Sequence, residues 1–182
     1  MRRDARTHRR ADAQPRVRAS VAASAFMLAV AVAPLAAQDV GLAVGATPPA
    51  ARVQDLDGRA ADLAQLYVGH KPVLVEFWAT WCPICRALLP KMRAAQERYG
   101  GQVDFVVVGV GINQTRAGMK RHLEQHPLPF RFYFDHAGAA VRAFQAPTTS
   151  YIVALDARGR VVYTGVGEDQ DIEGAARRAL GR

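Results

Sequence analysis

The chain has 182 residues, half of them hydrophobic, with two cysteines and a formal net charge of +8. The charge is concentrated: residues 1–37 carry seven arginines and two aspartates, a net of +5, so the remainder is only mildly basic. No basic stripe interleaved with aromatics accompanies the high calculated pI, which excludes a nucleic-acid-binding reading.

Ala19 to Ala37 is an uncharged, alanine- and valine-rich run behind the arginine-rich start, the pattern of an export signal. Its 19 residues stand between a signal core and the ~20 needed to span a bilayer. Pro34 and Ala36-Ala37 place cleavage near Gln38; a retained anchor is the alternative. Residues 1–37 are therefore expected to be a signal peptide or N-terminal membrane anchor. Residues 38–49, rich in Gly and Pro, are expected to be a linker, and 50–182 a single domain with a proper core.

Arg52 to Arg59 reads as a hairpin turning at Asp57-Gly58, and Ala61 to Tyr67 as a short helix capped by Asp62. Val73 to Trp78 is short, β-branched and aromatic, as a buried strand is. It runs into Cys82-Pro83-Ile84-Cys85. From Arg86 the apolar residues Leu88, Met92, Ala95 and Tyr99 recur at helical spacing, with Arg86, Arg93 and Glu97 opposite. Gly100-Gly101 stops that helix. Val103 to Val110 is a strand covered on both faces. Asn113 or Thr115 caps a helix running to about Gln125. On it, His122 and His126 have the spacing of metal ligands, but no third ligand accompanies them, so they read as a solvated pair. Phe130 to Phe134 is a further strand, followed by a short helix from Gly138 to Phe144. Tyr151 to Leu155 and Val161 to Thr164 form an antiparallel hairpin around Asp156 to Arg160. Asp169 begins the last helix, whose core stripe is Ile172, Ala175, Ala176, Ala179 and Leu180.

The two thiols thus sit where a strand hands over to a helix. Unpaired N–H groups and the positive end of the helix dipole stabilise thiolate there, lowering the pKa from the free value of about 8.5. Cys82, coming first, is expected to be the exposed nucleophile. Cys85, one turn inside, is expected to be the shielded resolving thiol. Pro83 suits the first helical turn. A loop this short gains little from closure as a structural disulfide, and zinc usually takes four ligands, so redox chemistry is the reading.

The segment Phe77-Trp78-Ala79-Thr80-Trp81-Cys82-Pro83-Ile84-Cys85 resembles the active site of the thioredoxin superfamily. Pro90 matches the proline that kinks the active-site helix, and Ala146-Pro147-Thr148 the loop whose cis-proline faces the dithiol. The resemblance covers roughly residues 45–182 and is nearest to the exported TlpA-like branch and to thioredoxin-like proteins of cytochrome c maturation. It implies an α/β thioredoxin-like fold: a central mixed sheet flanked by helices, an N-terminal β-hairpin and an inserted strand–helix unit.

The resemblance also implies roles. Glu76, within an otherwise apolar strand, matches a position that often carries a buried acid behind the dithiol. A carboxyl taken out of water has a raised pKa and can pass protons near neutrality. Pro147 implies a cis-proline that offers the backbone of Ala146 to substrate and keeps metal from the thiols. Trp81 and Thr148 join the recognition surface, Pro83 and Ile84 tune the dithiol, and Trp78 is core.

The expected protein is an exported thiol–disulfide oxidoreductase, in the periplasm or on the outer face of the cytoplasmic membrane, that reduces envelope protein disulfides, an apocytochrome being one candidate. Its redox centre is the Cys82–Cys85 dithiol, with no organic cofactor and no metal. Electrons come from a membrane thiol reductase, and the membrane is touched only through the N-terminal segment. The alternatives are a disulfide-donating oxidase and a redox-inert copper-binding module, since thiolate pairs select such soft metals.

Overall fold

The computed structural model describes residues 41–182 except positions 68 and 70. The export-signal expectation for 1–37 and the first residues of the expected linker lie outside the described residues. The rest of that linker is docked. Leu42 is buried and donates its N–H to the Tyr151 hydroxyl at 3.0 Å. Backbone bonds Gly45 N–H to Val161 C=O (2.7 Å) and Val161 N–H to Ala46 C=O (2.8 Å) fasten the segment to a strand near the C-terminus. Gly and Pro here shape a path along the sheet instead of freeing the chain.

The hairpin is β1 (Arg52–Asp55) and β2 (Ala60–Asp62), turned by Gly58 at φ 90°, a conformation that suits a residue without Cβ. The expected helix over Ala61 to Tyr67 is shorter, α1 spanning Ala64–Tyr67, because Ala60 to Asp62 pairs with β1. The Asp62 carboxylate still caps it, accepting from Ala64 N–H at 3.0 Å and also from Ala51 N–H at 3.1 Å.

There follow β3 (Val73–Trp78), α2 (Pro83–Tyr99), β4 (Asp104–Val110), α3 (Arg116–Gln125), β5 (Arg131–Asp135), α4 (Ala139–Ala143), β6 (Tyr151–Leu155), β7 (Val161–Gly165) and α5 (Ile172–Ala179). The last helix starts at Ile172, three residues beyond expectation, with the Asp171 carboxylate accepting from Gly174 N–H at 2.8 Å as its N-cap. The strands form one sheet in the order β2-β1-β5-β4-β3-β6-β7. β3, β4 and β5 are parallel neighbours, and β6 is antiparallel to β3.

Two crossovers stepping the same way, both right-handed by rule, put α2 and α3 on one face of the sheet. On that face Leu74 packs with Leu88 and Met92 of α2 and with Ala175 and Ala176 of α5. On the other, Phe77 meets Phe144, whose ring also lies edge-on to Tyr67. Alternation along β3 therefore sends Glu76, two residues from Leu74, towards the α2 face. Gly109 lets α3 sit close on β4: a Cβ there would overlap the Met119 thioether.

Candidate active site

β3 ends at Trp78, four residues before Cys82, and α2 begins at Pro83 with Cys82 as its N-cap. Cys82 and Cys85 are joined by a disulfide, their Cα atoms 5.4 Å apart. The Cys82 sulfur accepts the Cys85 backbone N–H at 3.0 Å. That sulfur occupies the place of the oxygen in an ordinary helix cap, where a thiolate is stabilised by N–H donors and by the helix dipole. Pro83 in the first turn removes only an N–H that no helical carbonyl could use.

The expectation of an exposed Cys82 is corrected, whereas Cys85 is shielded as expected: both are 2% exposed. The exposed neighbours are Trp81 and Ile84, at 43% and 44%, together with Ile112 at 59%. The surface on the Trp81 and Ile84 side of the disulfide is thus apolar, while the sulfurs lie beneath it.

The loop before Cys82 is held by residues with no recognisable motif in the sequence. Gln114 Oε1 accepts from both Thr80 N–H (3.0 Å) and Thr80 Oγ1 (3.1 Å), and its Nε2 donates to the Val110 carbonyl at 2.7 Å. Trp81 Nε1 donates to the Ile112 carbonyl at 2.9 Å. The β4–α3 loop therefore fixes the residues that lead into the dithiol. A polar residue just past a buried strand was the only available hint.

Trp81 and Ile112 form one wall of a cavity of about 310 Å³ whose other wall is Ala146, Pro147, Thr148 and Thr149. Pro147 and Thr148 are exposed and Ala146 half-buried, so the structure brings the expected groove residues together beside the dithiol. The Ala146 N–H is already taken by the Val141 carbonyl at 2.9 Å. Any backbone contact from Ala146 to a bound chain thus runs through its carbonyl. The groove loop is bounded by Gln145 and Ser150, both left-handed at φ 49° and 64°, a conformation that costs a non-glycine residue energy and clusters at functional sites. Ser150 is fastened by its N–H to the Phe77 carbonyl (2.7 Å) and by its carbonyl to Gln170 Nε2 (2.9 Å).

Glu76 is 3% exposed, flanked in register by Val107 and Ile152. Among the described residues its Oε1 has no hydrogen-bond partner. Burial alone pushes its carboxyl from 4.5 up to about 8, so at neutral pH it holds its proton. Trp78 is core, as expected. The expectation of a solvated histidine pair is corrected in part. His126 is exposed, but His122 is half-buried with its ring centroid 5.7 Å from that of Trp78.

Residues 43–180 match the Redoxin family. The chain belongs to the Redoxin family. Among relatives, it is 29% identical over 139 residues to the thiol-disulfide oxidoreductase ResA of Geobacillus thermodenitrificans, covering 75% of this chain and 78% of that protein. It is 34% identical over 83 residues to a thiol:disulfide interchange protein TxlA homolog of Synechocystis, a match spanning 46% of each chain. The chain thus matches about half the length of that relative. A putative thiol:disulfide interchange protein DsbE from Chlorobium tepidum superposes with a TM-score of 0.64 at 24% identity, covering 76% of this chain and 96% of that one. That likeness shows the thioredoxin-like fold. Over its described residues the chain is a thioredoxin-like thiol–disulfide oxidoreductase domain of the Redoxin family.

Proposed function

We propose that this Redoxin-family protein is exported and reduces disulfides of cell-envelope proteins, those of apocytochromes among them. The observation that carries the proposal is Cys82 as the N-cap of α2, its sulfur facing a backbone donor. In the dithiol form the Cys82 thiolate attacks one sulfur of a partner disulfide, and the partner's other sulfur leaves as thiolate. Cys85 then loses its proton and attacks the Cys82 sulfur. The partner's first sulfur leaves, and the Cys82–Cys85 bond forms. Two electrons pass to the partner, and each departing thiolate takes up a proton.

Glu76 serves as the proton relay for Cys85: it lies on the α2 face of β3, buried, with its pKa near neutrality. The groove of Trp81, Ala146, Pro147 and Thr148 receives the partner chain, while Pro83 and Ile84 set how the helix end meets the sulfur. The arginine-rich leader supports export. The dithiol carries the electrons without organic cofactor or metal, and a membrane thiol reductase resets it.

Cys85→Ser, expressed in its envelope setting, tests the reading. A stalled mixed disulfide on Cys82 with a protein partner is the expected product, absent in the additional Cys82→Ser variant. A reduction potential near those of strong oxidants would reverse the direction, and failure to trap any disulfide partner would remove the function.

A further inference from the structure

A second cavity, of about 330 Å³, lies on the other side of the dithiol, between α2 and α3. Its floor is apolar, made by Trp78, Leu89 and Leu128. Cys85 and Leu89, one helical turn apart on α2, contribute to its wall. Around these stand four basic side chains, Arg86 and Arg93 from α2, His122 from α3 and His126 at its C-cap, and among the described residues no carboxylate lines it.

Among the described residues neither arginine forms an ion pair. Each reaches only a backbone carbonyl at long range: Arg86 to Thr80 at 3.4 Å and Arg93 to Pro127 at 3.5 Å. The imidazole rings are 4.8 Å apart. Burial first, then His126 and Arg86, hold His122 below its ordinary 6.5, as expected where like charges gather without an acid.

From this geometry we infer that the cavity receives an acidic side chain of the protein whose disulfide is exchanged, seated within a few residues of its cysteine. The inference rests on the disulfide-exchange reading above and names its substrate class. An apolar floor with a cationic rim fits a carboxylate on a short aliphatic stem, as in glutamate. Reach agrees. Cys85 borders the cavity and Cys82 is one turn away, and an extended chain advances about 3.3 Å per residue, so one to three residues separate cysteine from acid.

The test uses two otherwise identical peptides, each closed by one internal disulfide, with Glu or Lys two residues from a cysteine. Their rates of reduction by the reduced protein are compared at low and at high salt. Because the ratio of the two rates is read within each variant, a general loss of activity cancels. The Glu peptide is expected to react about tenfold faster at low salt and to lose most of that lead at high salt. Arg86→Ala with Arg93→Ala should bring the ratio close to one. So should Leu128→Trp, which fills the cavity without changing charge. Arg158→Ala with Arg182→Ala removes the same charge far from the dithiol and should leave the ratio intact. A ratio near one in the unaltered protein overturns the inference, as does an equal fall in the distant pair or an unchanged ratio in Leu128→Trp. Reduction of neither peptide would count against the exchange reading itself.

Discussion

At Glu76 a single carboxyl links fold to chemistry. Its folded-state pKa of about 8 lies above the ordinary 4.5. Between those values the unfolded chain has released the proton and the folded chain still holds it. Stability therefore falls as pH rises through that window, by up to about 1.4 kcal/mol per pH unit. Glu76→Gln keeps the shape and removes the ionisation. In urea unfolding of the oxidised protein, the variant should gain on the parent by about 2 kcal/mol or more between pH 5 and pH 8, and its disulfide exchange should slow. A difference that stays constant with pH would refute the buried-acid account. The sequence displayed this residue plainly, as one charge in an apolar strand. It could not display Gln114 or Gln170, because a glutamine's role depends on which distant backbone groups the fold brings to it. Nor could it reveal the burial of Cys82, which depends on what the fold packs around the helix end.

Among elements, α4 is a short device with a long reach. Asp135, buried at the end of β5, accepts N–H bonds from Ala139 at 2.8 Å and Val141 at 2.9 Å. The same Val141 holds Ala146 through its carbonyl, so the carboxylate positions the groove loop through the helix. Asp135→Ala leaves those half-buried donors without their acceptor and should cost about 1–2 kcal/mol. Peptide exchange should show a raised KM with a smaller change in kcat. Unaltered KM with lowered stability would confine Asp135 to a structural role. The long elements β3, α2 and β4 were legible because continuous apolar runs and helical periodicity report burial directly. β2 was not: Ala60-Ala61-Asp62 has no strand preference of its own and takes its shape from pairing with β1. The docked stretch after Gly41 was hidden for the same reason, its fastening supplied by Tyr151 and Val161, more than a hundred residues away.

Across the described residues, a parallel β3–β4–β5 centre brings two loops and one helix end to the same end of the central strands. The dithiol, the Gln114 clamp and the Pro147 groove meet there because each follows or precedes the end of a central strand. The thioredoxin-like topology was legible from the order of strand, dithiol, helix and later proline. The cationic cavity was not, since its charges come from two helices whose facing sides are set only by packing against the sheet. The central claim concerns the sulfur at the tip of α2, and alkylation of the reduced protein by iodoacetamide across pH 4 to 10 tests it most directly. Modification should fall on Cys82 alone at first, with a midpoint well below the ordinary cysteine value of about 8.5. A midpoint at or above that value, or equal modification of Cys82 and Cys85, would contradict it.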